Sequence, residues 1–239
     1  MKLVIFAGGL GTRISEESDY IPKPMVKIGK EPILWHIIKY YSVFGFSDFI
    51  ICGGYKVKVI KKYFKYCKKK LDKSWNIKVI NTGMNSNTGE RLKRVKKYLN
   101  NTFCLTYGDG LSNIDIKKLI DFHKKNKSIA TLTTVKPIPH FGKIKFKGHK
   151  VTKFYEKDQT KENWINGGFF VCEKEIFKYL NKKNSIFETH ALPAIAKRKK
   201  LLAYKHKDFW YCMDTLRDKR HLNNLWFSKI APWKIWNDA

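Results

Sequence analysis

Strand-like and helix-like segments alternate through the first half of the chain. Strand-like runs occur at Leu3–Ala7, Asp48–Gly54, Asn76–Ile80 and Phe103–Gly110. Between them, PILWHIIKYYSVF, KVKVIKKYF and RLKRVKKYL place apolar residues three or four positions apart, which predicts helices. Mainly apolar strands that alternate with helices predict a mostly parallel sheet covered on both faces.

The second half of the chain has a less regular pattern. IATLTTV, FGKIKF and KVTKFYE alternate with period two, and INGGFFVC is mostly apolar, so these segments predict further strands of a mixed sheet. EKEIFKYL and HALPAIAKRKK predict helices, and a final helix is predicted from Leu216. Because no linker, repeat or low-complexity tract interrupts the chain, we predict one doubly wound α/β domain over residues 1–239.

Glycine and polar clusters follow the predicted strands. They read GGLGTR, GGY, NTG, GDG and NGG in chain order. In a doubly wound sheet, ligands bind beyond the carboxyl ends of the strands. The clusters therefore predict one binding site at that edge of the sheet.

The first cluster has the residues that a phosphate site needs. It lacks the dinucleotide fingerprint, whose last glycine is replaced by Ile14, and the chain has no P-loop motif. A tight βα turn would explain one or two of its glycines. Arg13 follows directly, however, and Lys23 stands between two prolines that restrict the backbone. Bare backbone amides, an arginine and a fixed lysine favour a triphosphate cradle.

Two aspartates follow strand-like segments in positions that suit a metal ion. Asp109 lies between two glycines, and Asp214 lies in CMDT just before the last helix. Mg²⁺ binds one or two carboxylates together with phosphate oxygens and water. The alternative is structural, with Asp109 as a turn residue and Asp214 as a helix cap.

Composition limits the partners of the chain. The 239 residues carry 49 Lys and Arg against 20 Asp and Glu, a formal net charge of +29, and polymer binding is one interpretation of this charge. The lysines are spread over nearly every polar segment, which favours a solvated basic surface that attracts polyphosphates. No apolar run approaches the roughly 20 residues of a membrane span, and the five cysteines lack metal spacing. We expect a cytoplasmic protein with neither nucleic acid nor membrane as partner.

The motifs together resemble a known enzyme family. GGLGTR followed by PKPMVKIG is similar to the consensus of the sugar-1-phosphate nucleotidylyltransferases, which make nucleotide sugars. The similarity continues in order through PILWHIIKYY, FIICGGY, RLKRV, LTYGDG, INGGFFV, MDTLRDK and APWKIW. The resemblance implies the Rossmann-like fold of nucleotide-diphospho-sugar transferases, with a nucleotide-binding part over about 1–112 and a sugar-phosphate-binding part over about 113–239.

The resemblance also assigns roles to individual residues. It implies that Arg13 and Lys23 are catalytic and that Asp109 and Asp214 hold Mg²⁺. It implies sugar-phosphate binding by Glu156, Lys157, Asn166 and Gly167, although Asp158 stands where the family has proline. The implied nucleotide-binding residues are Ala7, Gly8, Gly9, Gly11, Thr12, Arg13, Lys23, Thr88, Gly89, Arg91 and Gly108.

Within the family, the motifs are most similar to members that use CTP and glucose 1-phosphate. Their product usually supplies surface polysaccharides such as O-antigen, and such enzymes usually form homo-oligomers. Related cytidylyltransferases carry T-G-G-R where this chain has Thr88-Gly89-Glu90-Arg91, so UTP, dTTP or a different sugar or polyol phosphate are alternatives. A binding or regulatory protein that keeps the fold without turnover is a further alternative.

Overall fold

A seven-stranded mixed sheet organises the computed structural model, which describes residues 1–11, 20–67, 71–137, 142–155 and 164–237. Its strands are β1 (Lys2–Ala7), β4 (Asp48–Gly53), β5 (Asn76–Asn81), β6 (Thr102–Tyr107), β8 (Ala130–Val135), β11 (Ile165–Glu173) and β12 (Leu201–Lys205). They lie side by side in the order β12-β8-β11-β6-β1-β4-β5.

Strand direction brings the functional segments to one edge. β1 runs parallel to β4 and β6, β4 parallel to β5, and β8 parallel to β12. Only β11, among the strands of this sheet, is antiparallel to both neighbours, β6 and β8. The start of β11 therefore lies at the same edge as the carboxyl ends of the parallel strands.

Six α-helices accompany the sheet in the described part of the chain. Two short antiparallel ladders form separate two-stranded sheets: β2 (Lys27–Ile28) pairs with β3 (Glu31–Pro32), and β7 (Gly110–Ser112) pairs with β13 (Trp210–Cys212). The helices are α1 (Ile33–Val43), α2 (Val57–Tyr66), α3 (Thr88–Val95), α4 (Ile116–Asn126), α5 (Leu192–Lys197) and α6 (Leu216–Phe227).

The core lies in two layers, one on each face of the sheet. Along β1, Leu3 and Ile5 face one buried layer, whereas Val4 and Phe6 face the other. Alternate residues of one strand enter both layers because side chains of a strand point to opposite faces. The mostly apolar sequence of β1 is therefore explained by burial on both sides, as the sequence predicted.

The C-terminal aromatic residues complete the first layer. Trp233 and Trp236 are buried, and the Trp233 ring lies 5.6 Å from the Phe209 ring. His36, on α1, is fully buried among these rings. Its Nε2 donates to Ile28 O at 2.9 Å, and its Nδ1 accepts from Trp233 Nε1 at 3.4 Å.

The structure corrects the sequence prediction in the second half. FGKIKF and KVTKFYE form β9 (Lys143–Lys147) and β10 (Lys150–Tyr155), a separate hairpin rather than strands of the main sheet. Period two alone does not distinguish a hairpin from an edge strand, which explains the error. EKEIFKYL forms a 3₁₀ helix, Lys174–Tyr179. Two elements, α4 and β12, were not predicted.

The described segments include no helix that combines the length and apolar character of a membrane span. All five cysteines are free thiols. The division into nucleotide-binding and sugar-binding parts stays a prediction.

Candidate active site

The carboxyl ends of the central strands border a cavity of about 360 Å³. The ends of β1 and β6 are held together where the Gly108 N–H donates to Phe6 O at 2.9 Å. Segments far apart in the sequence meet in this cavity. Its lining includes the predicted residues Ala7, Gly8, Gly9, Gly11, Lys23, Thr88, Arg91, Gly108 and Asp109.

Lys23 lines the cavity and lies between two carboxylates. Its Nζ is 2.6 Å from Asp109 Oδ2 and 2.5 Å from Asp214 Oδ1, and its side chain is only 11% exposed. Burial lowers the pKa of this ammonium, but the charges and hydrogen bonds of the carboxylates outweigh burial and raise the pKa above its ordinary value. Lys23 is therefore a fixed positive charge at neutral pH.

Two prolines position Lys23. Pro22 and Pro24 flank it in a short 3₁₀ turn, Lys23–Met25, in which the Met25 N–H donates to Pro22 O at 2.7 Å. Pro24 is buried and lies close to Gly108, where a β-carbon would come within 3.1 Å of the proline Cγ. The rigid backbone directs the lysine side chain toward the strand ends.

The two aspartates come from neighbouring strand ends. The ladder between β7 and β13 pairs Gly110 with Cys212, and the Met213 N–H donates to Asp109 O at 2.9 Å. Ligand atoms of Asp109, Cys212 and Asp214 all lie within 4.8 Å of one another. Two carboxylate oxygens that already hold one ammonium between them can hold a divalent cation, so these residues fit a metal of this type.

Arg91 organises the loops around the cavity. Its side chain is buried; Nη1 donates to Gly53 O, Thr82 Oγ1 and Gly83 O, and Nη2 donates to Gly8 O and Met84 O. Burial lowers the pKa of this guanidinium, as expected for a charge taken out of water. Since these nitrogens already bond to the protein, Arg91 joins the ends of β1, β4 and β5. Its role in nucleotide binding stays a prediction.

A chain of hydrogen bonds crosses the site at the start of α3. Thr88 Oγ1 donates to Glu188 Oε2 at 2.6 Å, and Tyr107 OH donates to Glu188 Oε1 at 2.6 Å. Asn166 Nδ2 donates to Tyr107 OH at 3.3 Å. Burial, followed by the Glu188 charge, raises the pKa of Tyr107 above its ordinary value. These hydrogen bonds connect Thr88, which is predicted to bind the nucleotide, with Asn166, which is predicted to bind the sugar phosphate.

Comparison with known proteins establishes the family. The family model described as nucleotidyl transferase matches residues 2–238, nearly the whole chain. The chain belongs to the nucleotidyl transferase family.

Relatives of this nucleotidyl transferase match it over the full length. The glucose-1-phosphate cytidylyltransferase of Salmonella typhimurium is 44% identical over 256 aligned positions, which cover 99% of this chain and 100% of that protein. The probable glucose-1-phosphate cytidylyltransferase of Bacillus subtilis is 38% identical, with 99% and 100% covered.

Solved structures of nucleotidyl transferases have the same fold. HddC from Yersinia pseudotuberculosis, complexed with GMP-PN, superposes with a TM-score of 0.73 at 26% identity, covering 94% of this chain and 99% of that chain. A UDP-glucose pyrophosphorylase complexed with UDP-glucose gives a TM-score of 0.74 at 19% identity, with 95% and 98% covered. The predicted nucleotide-diphospho-sugar transferase fold is thus confirmed.

The remaining predicted site residues of this nucleotidyl transferase differ in placement. Asn166 lies at the start of β11, at the edge that holds the cavity. Gly89 packs against Leu180 and Ser185, and the Gly167 carbonyl accepts from Trp210 Nε1, so neither lines the cavity. Four predicted residues lie outside the described part of the chain: Thr12, Arg13, Glu156 and Lys157.

Two acidic residues support the site and were missed by sequence reasoning. Glu188 holds the hydroxyls of Thr88 and Tyr107. Asp218 Oδ2 accepts from the backbone N–H groups of Asp214 and Thr215 and thereby fixes the loop that carries Asp214. The T-x-x-D spacing at the start of α6 was a signal for Asp218, whereas Glu188 has no local signal because its partners lie far away in the sequence.

Proposed function

We propose that this protein is a glucose-1-phosphate cytidylyltransferase, which transfers CMP from CTP to α-D-glucose 1-phosphate and releases pyrophosphate. The observation that carries the proposal is Lys23, which is held between Asp109 and Asp214 and lines the same cavity as the first glycine loop. The full-length relatives with this activity in their names support the choice of substrates.

The proposed reaction requires positioning and charge neutralisation. A phosphate oxygen of glucose 1-phosphate attacks the α-phosphorus of CTP, and the bond from that phosphorus to the pyrophosphate oxygen breaks. No protein nucleophile is needed, because the phosphate oxygen of glucose 1-phosphate is itself the nucleophile. Both reactants are negatively charged, so the protein must position them and neutralise their charge. In this proposal Lys23 leaves its carboxylate partners and neutralises the α-phosphate, where charge develops. The backbone amides of Gly8 and Gly9, together with Arg13, hold the remaining phosphates.

A divalent metal belongs to this proposal, because nucleotidyl transferases of this family generally use one. We propose Mg²⁺, held by the carboxylates of Asp109 and Asp214. When bound, the ion neutralises phosphate charge and orients the triphosphate. On the acceptor side we propose that Asn166, Gly167, Glu156 and Lys157 bind the sugar phosphate.

A panel of nucleotides tests the proposal. Pyrophosphate release is measured with CTP, UTP, dTTP and ATP, each with glucose 1-phosphate, with Mg²⁺ and again after EDTA treatment. We expect release with CTP and Mg²⁺, and little release after EDTA treatment or with Asp109→Asn. Preference for UTP would indicate a different nucleotidyl transferase, and no release with any pair would favour a binding protein.

Lys23→Ala tests the chemistry more directly. Removal of a contact that stabilises the transition state commonly lowers kcat by about 10²–10³-fold, and we expect a loss of at least this size. Lys27→Ala is the matched control, because Lys27 belongs to the same segment but is exposed. Steady-state kinetics and circular dichroism give the result. A near-normal kcat in a folded Lys23→Ala protein would exclude the catalytic role.

A further inference from the structure

Glu188 fixes the direction of the Thr88 hydroxyl. A threonine hydroxyl has one hydrogen to donate and two lone pairs to accept. The Thr88 hydrogen goes to Glu188 Oε2 at 2.6 Å, and one lone pair accepts from the Phe187 N–H at 2.9 Å. The other carboxylate oxygen of Glu188 is engaged by Tyr107 OH at 2.6 Å. Toward a ligand, Thr88 therefore offers one lone pair and no hydrogen.

Thr88 lines the same cavity as Lys23 and Asp109. Lys23 and Asp109 are suited to phosphate and metal, whereas Ser86, Asn87 and Thr88 line the cavity from the segment that follows β5. Thr88 is half-buried, so its free lone pair is accessible to a bound molecule. With the phosphates beside Lys23, as in the proposed function, the segment that follows β5 is left for the base.

We infer that the pair Glu188 and Thr88 selects bases that present an amino group, and so distinguishes CTP from UTP; the inference rests on the proposed function. Cytosine carries a hydrogen-bond donor at its 4-amino group, whereas uracil and thymine carry an acceptor at the same position. The acceptor lone pair of Thr88 can bond to the amino group of cytosine. In uracil the same lone pair faces O4, which is also an acceptor, so no hydrogen bond forms. A site that leaves polar groups unpaired in this way disfavours UTP.

The other half of the network serves the sugar side. Asn166 Oδ1 accepts from the Gly168 N–H at 2.9 Å, and Asn166 Nδ2 donates to Tyr107 OH at 3.3 Å, so the orientation of the amide is fixed. Glu188 is therefore a positioning residue that acts through Thr88 on the base and through Tyr107 on Asn166. Separate substitutions can test the contact of Glu188 with Thr88 and its contact with Tyr107.

The test compares kcat/KM for CTP and UTP, both with glucose 1-phosphate, in the full-length protein. In Glu188→Gln, one of the two hydroxyls meets an amide N–H instead of a carboxylate oxygen. In Glu188→Ala, neither hydroxyl keeps its acceptor, so the Thr88 hydrogen is free to face O4. We expect the CTP:UTP ratio to fall by about 10- to 100-fold in Glu188→Ala and less in Glu188→Gln. A general folding defect lowers both kcat/KM values and leaves their ratio unchanged.

Three further variants distinguish the effect of Glu188 through Thr88 from its effect through Tyr107. Thr88→Val removes the acceptor and is expected to lower the ratio, whereas Thr88→Ser keeps a hydroxyl and retains the preference. Tyr107→Phe leaves the bond between Thr88 and Glu188 intact; it is expected to keep the ratio and to raise KM for glucose 1-phosphate. For any variant that lacks turnover, isothermal titration with CTP and UTP gives the ratio of the two dissociation constants, which should change in the same direction.

The outcomes also distinguish the two proposals. Preference of the wild-type protein for UTP overturns the proposed function and this inference together. Preference for CTP that survives unchanged in both Glu188→Ala and Thr88→Val overturns only the inference, because base selection then comes from other residues. A fall of the ratio in Tyr107→Phe as large as in Glu188→Ala also contradicts the assignment to Thr88.

Discussion

Arg91 and Gly8 fit each other so closely that the glycine has no room for a side chain. The Arg91 guanidinium donates to the Gly8 carbonyl at 2.8 Å, and a β-carbon on Gly8 would lie 2.2 Å from Arg91 Nη1. A β-carbon on Gly54 would meet the same guanidinium at 2.3 Å. Gly8 belongs to the predicted phosphate loop, and it must also lack a side chain to leave room for the buried Arg91 guanidinium.

The first prediction concerns this fit. Gly8→Ala is expected to displace the Arg91 guanidinium and to lower the free energy of unfolding by about 1–3 kcal/mol, as overpacking does. CTP affinity should fall as well, because the loops that Arg91 joins line the cavity. Thermal melting and isothermal titration measure the two effects.

Gly9→Ala is the control for melting, since a β-carbon there meets nothing within 4 Å. Equal melting temperatures for the two variants would contradict the fit. The control separates a steric effect of one methyl group from the general entropic effect of replacing glycine by alanine.

At the scale of elements, the start of α6 fixes one of the two aspartates. Asp218 is 6% exposed and accepts hydrogen bonds from the N–H groups of Asp214 and Thr215, from Thr215 Oγ1 and from Tyr211 OH. Burial raises the pKa of Asp218, but these hydrogen bonds outweigh burial and lower the pKa below its ordinary value. A lowered pKa means that this carboxylate stabilises the fold above about pH 4, and that the contribution is lost as pH falls through the lowered pKa.

The second prediction is that Asp218→Ala weakens both the helix and the metal site. The free energy of unfolding should fall by about 1–2 kcal/mol, and a higher Mg²⁺ concentration should be needed for half-maximal rate, because Asp214 loses its support. Asp115→Ala is the matched control. Asp115 caps α4 by accepting from the Lys118 N–H, and it lies outside the cavity lining. Asp115→Ala should cost similar stability and leave the Mg²⁺ dependence unchanged; an equal effect of both variants on Mg²⁺ would contradict the prediction.

The third prediction concerns α1 and the aromatic C-terminus. Burial lowers the pKa of His36 to about 4. The unfolded chain, with an ordinary histidine pKa near 6.5, then binds a proton between about pH 6.5 and 4 that the folded protein does not bind. Stability should therefore decrease by up to ~3 kcal/mol as pH falls through that range. His36→Gln removes the titratable group, so the free energy of unfolding should decrease less as pH falls.

Urea unfolding at pH 7, 5.5 and 4.5 measures this dependence. His149→Gln is the control, because His149 is exposed and its removal should leave the decrease as it is. Identical pH profiles for wild type and His36→Gln would show that another group causes the acid sensitivity.

The elements also show how far sequence alone can predict this fold. Strands buried on both faces, such as β1, were predicted almost to the residue because burial on both sides requires a run of apolar residues. The hairpin of β9 and β10 was placed in the main sheet because its alternation is that of any two-faced strand. β12 was missed because its apolar residues Leu201, Leu202 and Tyr204 are only partly buried, and its other two residues are exposed.

Prediction of the site depended on a different property, which is the convergence of strand ends. The sequence indicated Lys23, Asp109 and Asp214, and the sheet order brings them within hydrogen-bonding distance. Glu188 and the loop-joining role of Arg91 could not be predicted in this way. Their partners are set by the packing of distant segments rather than by a motif.

At the scale of the whole molecule, the net charge of +29 acts on both stability and substrate capture. Forty-nine basic residues face only 20 acidic ones, so most positive charges have no acidic partner to neutralise them. Mutual repulsion destabilises the compact state, and salt screens it with a Debye length of about 10 Å at 0.1 M. The same field attracts an anionic nucleotide toward the cavity.

The fourth prediction is that salt has opposite effects on these two properties. Between about 20 mM and 300 mM NaCl, the melting temperature should rise by several degrees, because screening weakens repulsion. kcat/KM for CTP should fall over the same range, because screening weakens attraction of the triphosphate. Sucrose at equal osmolarity is the control, since it stabilises proteins without screening charge. If the melting temperature and kcat/KM changed together in the same direction, a general salt effect on the fold would replace the electrostatic explanation.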